Sequence, residues 1–248
     1  MEWVKDFYKK QFVLINDYLF VPPANLYIED AVKIEEQYGK SFQTVLELGA
    51  GNGELTNAFA NKGKDVTSIE LVPEMVEFAT KYATVDATRI CADFYDVALA
   101  KTFDTVLYID GFGIGEDEDQ LRLLTRIASW LNEDGYGLID IYEPNYWRQT
   151  YKEKLALNKE STVFRQYNFD EKTNRFTDTW WHIEAPQAKT VQSLKCYTYR
   201  EIQALCDQAN LQIVAYFPNG AMDFVTWTYT EVAPLDNCIS YRIKVKRK

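Results

Sequence analysis

A run of ten residues from Val45 to Glu54, VLELGAGNGE, limits the fold more strictly than any other segment of the chain. Its first half has the apolar character of a buried strand, and glycines then stand at alternate positions, Gly49, Gly51 and Gly53. Glycine lets a backbone approach a ligand closely, and ligands of parallel α/β sheets bind beyond the carboxyl ends of the strands. The segment therefore predicts a strand, a ligand-binding turn and the start of a helix. A tight turn without a ligand is the alternative, which three alternate glycines disfavour.

Strand and helix patterns alternate around this segment. Apolar runs predict five strands, at residues 42–48, 65–70, 88–92, 104–109 and 136–142. Apolar residues at helical spacing predict helices at residues 3–19, 25–38, 73–82 and 117–131. Strands joined by helical crossovers indicate the α/β class, with a doubly wound and mostly parallel sheet.

The pattern changes after Pro144. Alternating polarity predicts an antiparallel hairpin formed by residues 163–169 and 175–184. A capping box from Thr198 to Glu201 starts a helix over residues 199–209. Two further strands are predicted, at residues 211–217 and 238–245.

The charge balance argues against nucleic acid as a partner. The chain has 27 Lys and Arg against 37 Asp and Glu, a formal net charge of −10. Nucleic-acid binding gains much of its affinity when basic side chains neutralise phosphates, and the one basic cluster here is the last few residues. We therefore expect no nucleic-acid partner.

Cysteine and histidine content argues against zinc. The four cysteines form no CxxC pair and the chain has one histidine, which excludes cysteine-rich zinc sites and leaves a catalytic zinc without ligands. We predict no metal, with an oxygen-ligand magnesium or calcium site as the alternative that the composition leaves open. The longest charge-free run, residues 208–222, is too short and too polar to span a bilayer. With a charged amphipathic start and no secretion signal, we expect a cytoplasmic protein without a membrane partner.

Carboxylates gather where the predicted strands end. Glu47 lies within the first strand, and Glu70, Asp93 and Asp110 follow at the ends of three others. A dinucleotide fingerprint, G-x-G-x-x-G, needs glycine where Glu54 stands, and a carboxylate there would repel a pyrophosphate. These residues favour a cofactor without phosphate that carries positive charge. S-adenosylmethionine, with a sulfonium and an ammonium, meets both conditions.

Two of these acids have definite expected roles. Glu70 stands where an acid can accept hydrogen bonds from both ribose hydroxyls. Asp93 can accept from the adenine amino group while Phe94 packs on the ring. The alternatives are a solvated charge for Glu70 and a helix cap for Asp93.

On these residues the sequence resembles the class I S-adenosylmethionine-dependent methyltransferases. The resemblance covers residues 42–144 and the order of the closing elements, and its most specific part is the E-x-G-x-G-x-G loop at residues 47–53. The acid at Glu70, the turn at residues 92–94 and the turn at residues 131–137 also match. It implies a Rossmann-like methyltransferase fold of seven strands, with an antiparallel seventh strand at residues 238–245 and an antiparallel insertion after strand five. It also implies an enzyme that uses S-adenosylmethionine and releases S-adenosylhomocysteine.

The resemblance also assigns residues to the cofactor. Gly49 and Gly51 would flank the methionine moiety, residues 108–110 would line the sulfonium end, and Tyr8 on a lid helix would reach the methionine carboxylate. The complete predicted cofactor site is Tyr8, Glu47, Gly49, Ala50, Gly51, Glu70, Leu71, Met75, Asp93, Phe94, Ile109 and Asp110.

The same resemblance indicates a small-molecule acceptor. Enzymes that methylate amino groups of nucleic-acid bases or protein glutamine commonly carry an Asn/Asp-Pro-Pro-Tyr/Phe turn after strand four, and this chain has DGFG at residues 110–113. The late hairpin is similar to the substrate-covering insertion of small-molecule N- and O-methyltransferases, including the sugar N-methyltransferases. The predicted substrate pocket is Phe112, Tyr142, Tyr146, Trp147 and Trp180, for which ordinary packing is the alternative.

His182 is the candidate general base, because histidine is the residue type whose ordinary pKa lies near neutral and because His182 shares a strand face with Phe176, Asp178 and Trp180. Methyl transfer is an in-line displacement that orientation and desolvation can accelerate without any base. A structural role for a lone histidine on a strand is therefore the alternative.

The sequence thus predicts a single domain over residues 1–248. Its parts are a helical cap (1–40), a cofactor-binding core (41–149), an insertion over the substrate site (150–197) and a closing segment (198–248). We expect a monomer or homodimer that moves a methyl group to a nitrogen or oxygen of a small metabolite. The rival functions are an NAD-type oxidoreductase and an S-adenosylmethionine-binding protein without turnover.

Overall fold

The computed structural model describes residues 2–18, 24–150, 152 and 154–248, with residues 24–26 described by their backbone only. The strands are β1 (Thr44–Leu48), β2 (Asp65–Glu70), β3 (Thr88–Cys91), β4 (Phe103–Tyr108), β5 (Leu131–Tyr142), β6 (Leu155–Ala156), β7 (Val163–Asp170), β8 (Arg175–His182), β9 (Thr190–Lys195), β10 (Leu211–Pro218), β11 (Ala221–Asp223), β12 (Thr228–Thr230) and β13 (Ser240–Arg247). The helices are α1 (Glu2–Tyr18), α2 (Ala24–Tyr38), α3 (Glu54–Asn61), α4 (Pro73–Lys81), α5 (Asp117–Trp130), α6 (Pro144–Gln149) and α7 (Tyr199–Gln208).

Seven strands form the central sheet, in the order β10-β13-β5-β4-β1-β2-β3. β13 runs antiparallel to both β5 and β10, whereas the pairings among β1 to β5 are parallel. The α/β class, the mostly parallel sheet of seven strands and its antiparallel last strand are confirmed. None of the helices in the described ranges is both long enough and apolar enough to cross a bilayer.

β1 lies at the centre of the parallel part and is buried on both faces. Val45 packs with Phe59 and Leu107 on one side of the sheet, whereas Leu46 and Leu48 join the core on the other side. All three β1 side chains are at most 1% exposed. This two-sided burial is what a continuous apolar run indicates for a central parallel strand. It places the glycine loop, which begins after Leu48, in the middle of the carboxyl edge of the sheet.

A second sheet of four strands, in the order β6-β7-β8-β9, is inserted between α6 and α7. It packs against α1 through β8 and β9, and against α6 through β7 and β8. Val4 of α1, Trp147 of α6 and Phe176 of β8 meet in one buried cluster. The insertion therefore holds the N-terminal helix against the core.

Most predicted elements are confirmed with small shifts of their ends. The hairpin is β7 and β8, and the capping box of α7 forms, with the Glu201 carboxylate accepting from the Thr198 N–H at 2.8 Å. Residue 19, the last of the first predicted helix, lies outside the described residues. Four elements, α6, β6, β9 and the β11–β12 hairpin, were not predicted from the sequence. These elements are short, and the strand β9 becomes recognisable only through its pairing with β8.

A buried ion pair between β5 and β13 allows the register of these two strands to be tested. Arg242 of β13 stands opposite Asp140 of β5, and its Nε and Nη2 donate to the two carboxylate oxygens at 2.7 and 3.0 Å. Arg242→Met leaves the Asp140 charge buried without its partner, so we expect a loss of about 3–5 kcal/mol in the free energy of unfolding. Urea denaturation measures this loss.

The double variant Arg242→Met/Asp140→Leu removes both charges and should recover most of that loss. Lys101→Met, which breaks the exposed Lys101–Asp65 pair, is the matched control and should cost less than about 1 kcal/mol. Equal losses for Arg242→Met and Lys101→Met would contradict the buried register.

Candidate functional site

A cavity of about 390 Å³ opens at the carboxyl edge of the central sheet. Residues that directly follow β1, β2, β3 and β4 line its floor, and side chains of α1 and α2 close it. This volume falls in the usual range for a small-molecule site. Its position is that of ligand sites in open parallel α/β sheets.

The glycine loop forms the part of the floor that follows β1. Gly49 and Gly51 have φ values of 67° and 57°, which only glycine adopts without strain. The Gly49 N–H donates to the Ile69 carbonyl at 2.9 Å and so ties the loop to the end of β2. A Cβ on Gly53 would meet the Cβ of Ala79 at 2.7 Å, so this glycine lets α3 start close against α4.

Glu70, the last residue of β2, is held by backbone donors. Its two carboxylate oxygens accept from the N–H groups of Gly51 and Val72, each at 2.9 Å. The side chain is 8% exposed, and burial raises its pKa although the backbone hydrogen bonds lower it. The carboxylate thus lies at a fixed position on the cavity wall.

Asp93 and Phe94 form the wall after β3. Asp93 Oδ1 accepts from the Tyr95 N–H at 2.8 Å, so the residue stabilises its own turn as the capping alternative requires. Phe94 lines the cavity and packs edge-on against Tyr108, with ring centroids 5.3 Å apart. An aromatic ring beside a strand-end acid provides an apolar surface next to a hydrogen-bond acceptor.

Glu47 and Asp110 lie on the floor near the glycine loop. Glu47 is 5% exposed, accepts a hydrogen bond from the Thr56 hydroxyl, and has a pKa raised by burial to about 7. Asp110 follows β4 and accepts from the Tyr142 hydroxyl. Its side chain is accessible from the cavity but enclosed by protein on the other sides, and this enclosure raises its pKa to about 6.

The two N-terminal helices close the cavity from above. The Tyr8 hydroxyl of α1 accepts from Gln192 Nε2 of β9 at 2.8 Å, which joins the helix to the inserted sheet. Tyr27 and Asp30 of α2 lie on the same wall. The closure is therefore built from three separate parts of the chain.

The charged side chains that the structure describes in the cavity lining are all acidic. Five carboxylates line the cavity, those of Asp30, Glu47, Glu70, Asp93 and Asp110. Within the described ranges no lysine, arginine or histidine lines it. Low-dielectric walls concentrate such a field, so the cavity favours a cationic ligand and disfavours a diphosphate. The described residues contain no group of acids, cysteines and histidine arranged to hold a metal ion.

Comparison with known proteins agrees with this geometry. Residues 45–135 match the family profile described as a methyltransferase domain. An uncharacterised methyltransferase of Bacillus cytotoxicus is 32% identical over 102 residues, which cover 41% of this chain and 48% of that protein. The central part of the chain is therefore similar to methyltransferase domains.

The alignment with that relative covers about half of the relative's length. Solved structures extend the likeness of the fold to almost the whole chain. An S-adenosylmethionine-dependent methyltransferase from Clostridium acetobutylicum is 15% identical with a TM-score of 0.72, over 98% of both chains. A sugar N-methyltransferase from a Streptoalloteichus species is 17% identical with a TM-score of 0.67, over 91% of this chain and 89% of that one.

In this methyltransferase fold, the twelve residues predicted to bind the cofactor all line the one cavity. They come from α1, the glycine loop, the ends of β2 to β4 and the start of α4. Their role in binding stays a prediction. They are far apart in the sequence, from Tyr8 to Asp110, and the fold brings them together around one cavity.

The five residues predicted for the substrate pocket do not line this cavity. Phe112 is fully buried between Tyr108 and Tyr197 in the main core. Tyr146 and Trp147 belong to α6 and pack in the cluster beneath the inserted sheet. For these three the packing alternative is the one the structure supports.

Trp180 and Tyr142 lie nearer to the cavity. Trp180 is 6% exposed and packs on Phe7 of α1, below the guanidinium of Arg165. Tyr142 touches the cavity through Asp110, to which its hydroxyl donates. Tyr142 is thus one hydrogen bond away from the lining.

His182 does not line the cavity either. Its ring lies against Tyr18 of α1, with centroids 4.2 Å apart, and its Nδ1 accepts from the Glu184 N–H at 3.3 Å. Alternation on β8 places it on the same face as Trp180, but at the far end of the strand. The structure therefore supports the structural role rather than that of a base.

Several lining residues were not predicted from the sequence. Gln11, Asn16, Tyr27 and Asp30 come from the two helices, and Ile114 comes from the loop before α5. The spacing of polar residues along α1 and α2 does not show whether a helix face lines a cavity or is exposed to solvent. The available signal was the pair Tyr27 and Asp30, three residues apart and therefore on one face of α2.

Glu47 gives a test of the cavity's electrostatics. Its pKa is raised from 4.5 to about 7, so the folded protein keeps a proton that the unfolded chain releases. The contribution of Glu47 to stability therefore falls as the pH rises through this interval. We expect Glu47→Gln to raise the free energy of unfolding by about 1–3 kcal/mol at pH 8 and to change it little at pH 5.

Urea denaturation at both pH values measures the difference. Glu77→Gln, an exposed substitution on α4, is the control and should change neither value. An effect of Glu47→Gln that is the same at pH 5 and pH 8 would show that the carboxyl is not protonated in the folded protein.

Proposed function

We propose that this protein is an S-adenosylmethionine-dependent methyltransferase that acts on a nitrogen or oxygen of a small metabolite. One observation carries the proposal. A single cavity joins a left-handed glycine loop, a strand-end acid held by backbone N–H groups, and five carboxylates without a basic side chain in the described lining.

The residues present fit the parts of S-adenosylmethionine. Glu70 is a fixed acceptor for ribose hydroxyls, and Asp93 with Phe94 offers an acceptor and an aromatic surface to adenine. Glu47 and Asp110 supply negative charge near the glycine loop for the ammonium and the sulfonium. A nicotinamide dinucleotide would instead bring a diphosphate into this acidic cavity, which argues against the oxidoreductase alternative.

When bound, S-adenosylmethionine supplies an electrophilic methyl group on a cationic sulfur. The protein's contribution is to orient the reactants and to exclude water. Tyr8 and Phe12 of α1 cover the cavity, and the hydrogen bond from Gln192 holds Tyr8 in place. A closed cavity also strengthens the attraction between its carboxylates and a cation.

A small metabolite is favoured as the acceptor for two reasons. The chain is acidic, and α1, which the inserted sheet holds through the hydrogen bond from Gln192 to Tyr8, covers the cavity. The similarity in fold to a solved sugar N-methyltransferase supports an acceptor of comparable size.

Calorimetry with cofactors tests the proposal. We expect S-adenosylhomocysteine to bind in about the micromolar range and NAD to give no binding heat. Glu70→Gln removes the charged acceptor for the ribose hydroxyls and should weaken S-adenosylhomocysteine binding about 10- to 100-fold. Glu77→Gln, whose side chain is exposed on α4, should leave the affinity unchanged.

Binding of NAD without binding of S-adenosylhomocysteine would contradict the proposal in favour of an oxidoreductase. If S-adenosylhomocysteine binds, transfer from labelled S-adenosylmethionine to a panel of small amines and alcohols decides the next point. Stoichiometric binding with no transfer to any member would favour a binding protein without turnover.

A further inference from the structure

Asp110 has a backbone conformation that is uncommon for its residue type. It stands between the end of β4 and Gly111 and has a φ of 58°, in the left-handed region. Only Asn and Asp among non-glycine residues enter this region with any frequency. The conformation turns the chain sharply after β4 while the Asp110 side chain lines the cavity. A glycine at this position would make the same turn without presenting a carboxylate.

The carboxylate of Asp110 has a phenol as its partner. The Tyr142 hydroxyl donates to its Oδ1, and the Tyr142 ring packs against the stacked rings of Trp147 and Phe176, at centroid distances of 5.6 and 4.7 Å. No described lysine or arginine forms an ion pair with Asp110. The nearby cation, Arg165, donates from Nε and Nη2 to Asp178. Asp110 therefore keeps its charge without a resident counter-ion in contact.

Groups from every neighbouring element act on this carboxylate. The charged ones are Asp140 of β5, Arg165 of β7 and Asp178 of β8, and the phenols are Tyr8, Tyr27, Tyr108, Tyr142 and Tyr167. Arg165 is the one cation in this set, and Asp178 neutralises it. Arg242 likewise pairs with Asp140, so the charges next to Asp110 are balanced among themselves and leave the Asp110 carboxylate facing the cavity.

We propose that the methyl acceptor is an amine and that Asp110, oriented by Tyr142, binds its ammonium group and takes its proton. This inference rests on the proposed function and adds the class of acceptor and the catalytic base. Asp110 takes over the role that the sequence suggested for His182, whose ring lies against Tyr18 outside the cavity.

The proposed step balances in atoms and electrons. A proton passes from the acceptor ammonium to the Asp110 carboxylate and leaves a nitrogen lone pair. That pair forms the new bond to the methyl carbon as the carbon–sulfur bond breaks, and the electrons of the broken bond stay on sulfur. The products are a methylated ammonium, S-adenosylhomocysteine and protonated Asp110, which returns its proton to solvent.

Enclosure of the carboxylate supports this role. It raises the pKa of Asp110 to about 6, with the Tyr142 hydrogen bond acting in the opposite direction. At neutral pH the group is then mostly ionised, as binding of an ammonium requires. It is also a stronger base than a carboxylate in water, so it suits proton transfer near neutral pH.

Binding of two cofactor analogues tests the proposal without any acceptor. S-adenosylhomocysteine has a neutral sulfur, whereas sinefungin carries a protonated amine where the transferred methyl group would be. We expect the wild-type protein to bind sinefungin more tightly than S-adenosylhomocysteine, by about 10- to 100-fold at pH 8. Asp110→Asn, which keeps a side chain suited to positive φ, should remove this preference, with a much larger loss of affinity for sinefungin than for S-adenosylhomocysteine.

Tyr142 and pH provide the second measurement. The wild-type preference for sinefungin should increase from pH 5 to pH 8 as Asp110 loses its proton. Tyr142→Phe removes a donor that stabilises the anion, so the increase should move to higher pH. Tyr146→Phe removes a buried hydroxyl that donates to the Met222 carbonyl at 3.5 Å, away from the cavity, and should leave the pH profile unchanged.

The outcomes separate this inference from the proposed function. If neither analogue binds, the cofactor assignment fails and this inference fails with it. If S-adenosylhomocysteine binds but sinefungin has no advantage, or Asp110→Asn keeps that advantage, the role of Asp110 is overturned while the proposed function stands. A pH profile that Tyr142→Phe and Tyr146→Phe shift equally would overturn the positioning role of Tyr142.

Discussion

The hydrogen bond from the Gly51 N–H to the Glu70 carboxylate joins the two features on which the site depends. It connects the loop after β1 to the end of β2, and the bond from Gly49 to Ile69 repeats this connection beside it. Because β1 is buried on both faces, the loop cannot shift along the sheet without exposing Leu46 and Leu48. The acid and the glycines therefore stay in a fixed relation before any ligand arrives. Such preorganisation reduces the ordering that binding would otherwise require.

The carboxylates that suit the cavity to a cationic ligand also lower the stability of the folded protein. Glu47 is buried and Asp110 is enclosed, and both have a raised pKa, which means that their charged forms are less favourable in the folded protein than in water. A cationic ligand offsets part of that cost by supplying the missing counter-charge. The arrangement explains why a small acidic protein would keep several carboxylates around one cavity whose described lining contains no lysine, arginine or histidine. It also explains why an anionic ligand is disfavoured at the same place.

The residues predicted to bind the cofactor line one cavity because the order of parallel strands decides where each strand ends. A buried parallel strand must end at the carboxyl edge of the sheet, so Gly49, Glu70, Asp93 and Asp110 meet there whatever the loops between them do. The inserted sheet follows no such rule. Alternation on β8 places Phe176, Trp180 and His182 on one face of the strand. It does not predict which part of the protein each of these side chains contacts. Trp180 meets α1 near the cavity, and His182, further along, meets Tyr18.

The aromatic residues after β5 show the same limit. Tyr146 and Trp147 were predicted in the substrate pocket but lie on the short helix α6, where they pack beneath the insertion. Nothing in their local sequence distinguishes a pocket wall from a core, because both need large apolar side chains. Tyr142, two residues before α6, keeps contact with the site only through its hydroxyl.

A crystal structure of the protein with S-adenosylhomocysteine tests the central claim most directly. The account predicts the ribose hydroxyls within hydrogen-bond distance of the Glu70 carboxylate, the adenine ring against Phe94, and the sulfur beside Asp110. Density for the nucleoside elsewhere on the molecule, or a dinucleotide whose diphosphate lies on the glycine loop, would contradict it.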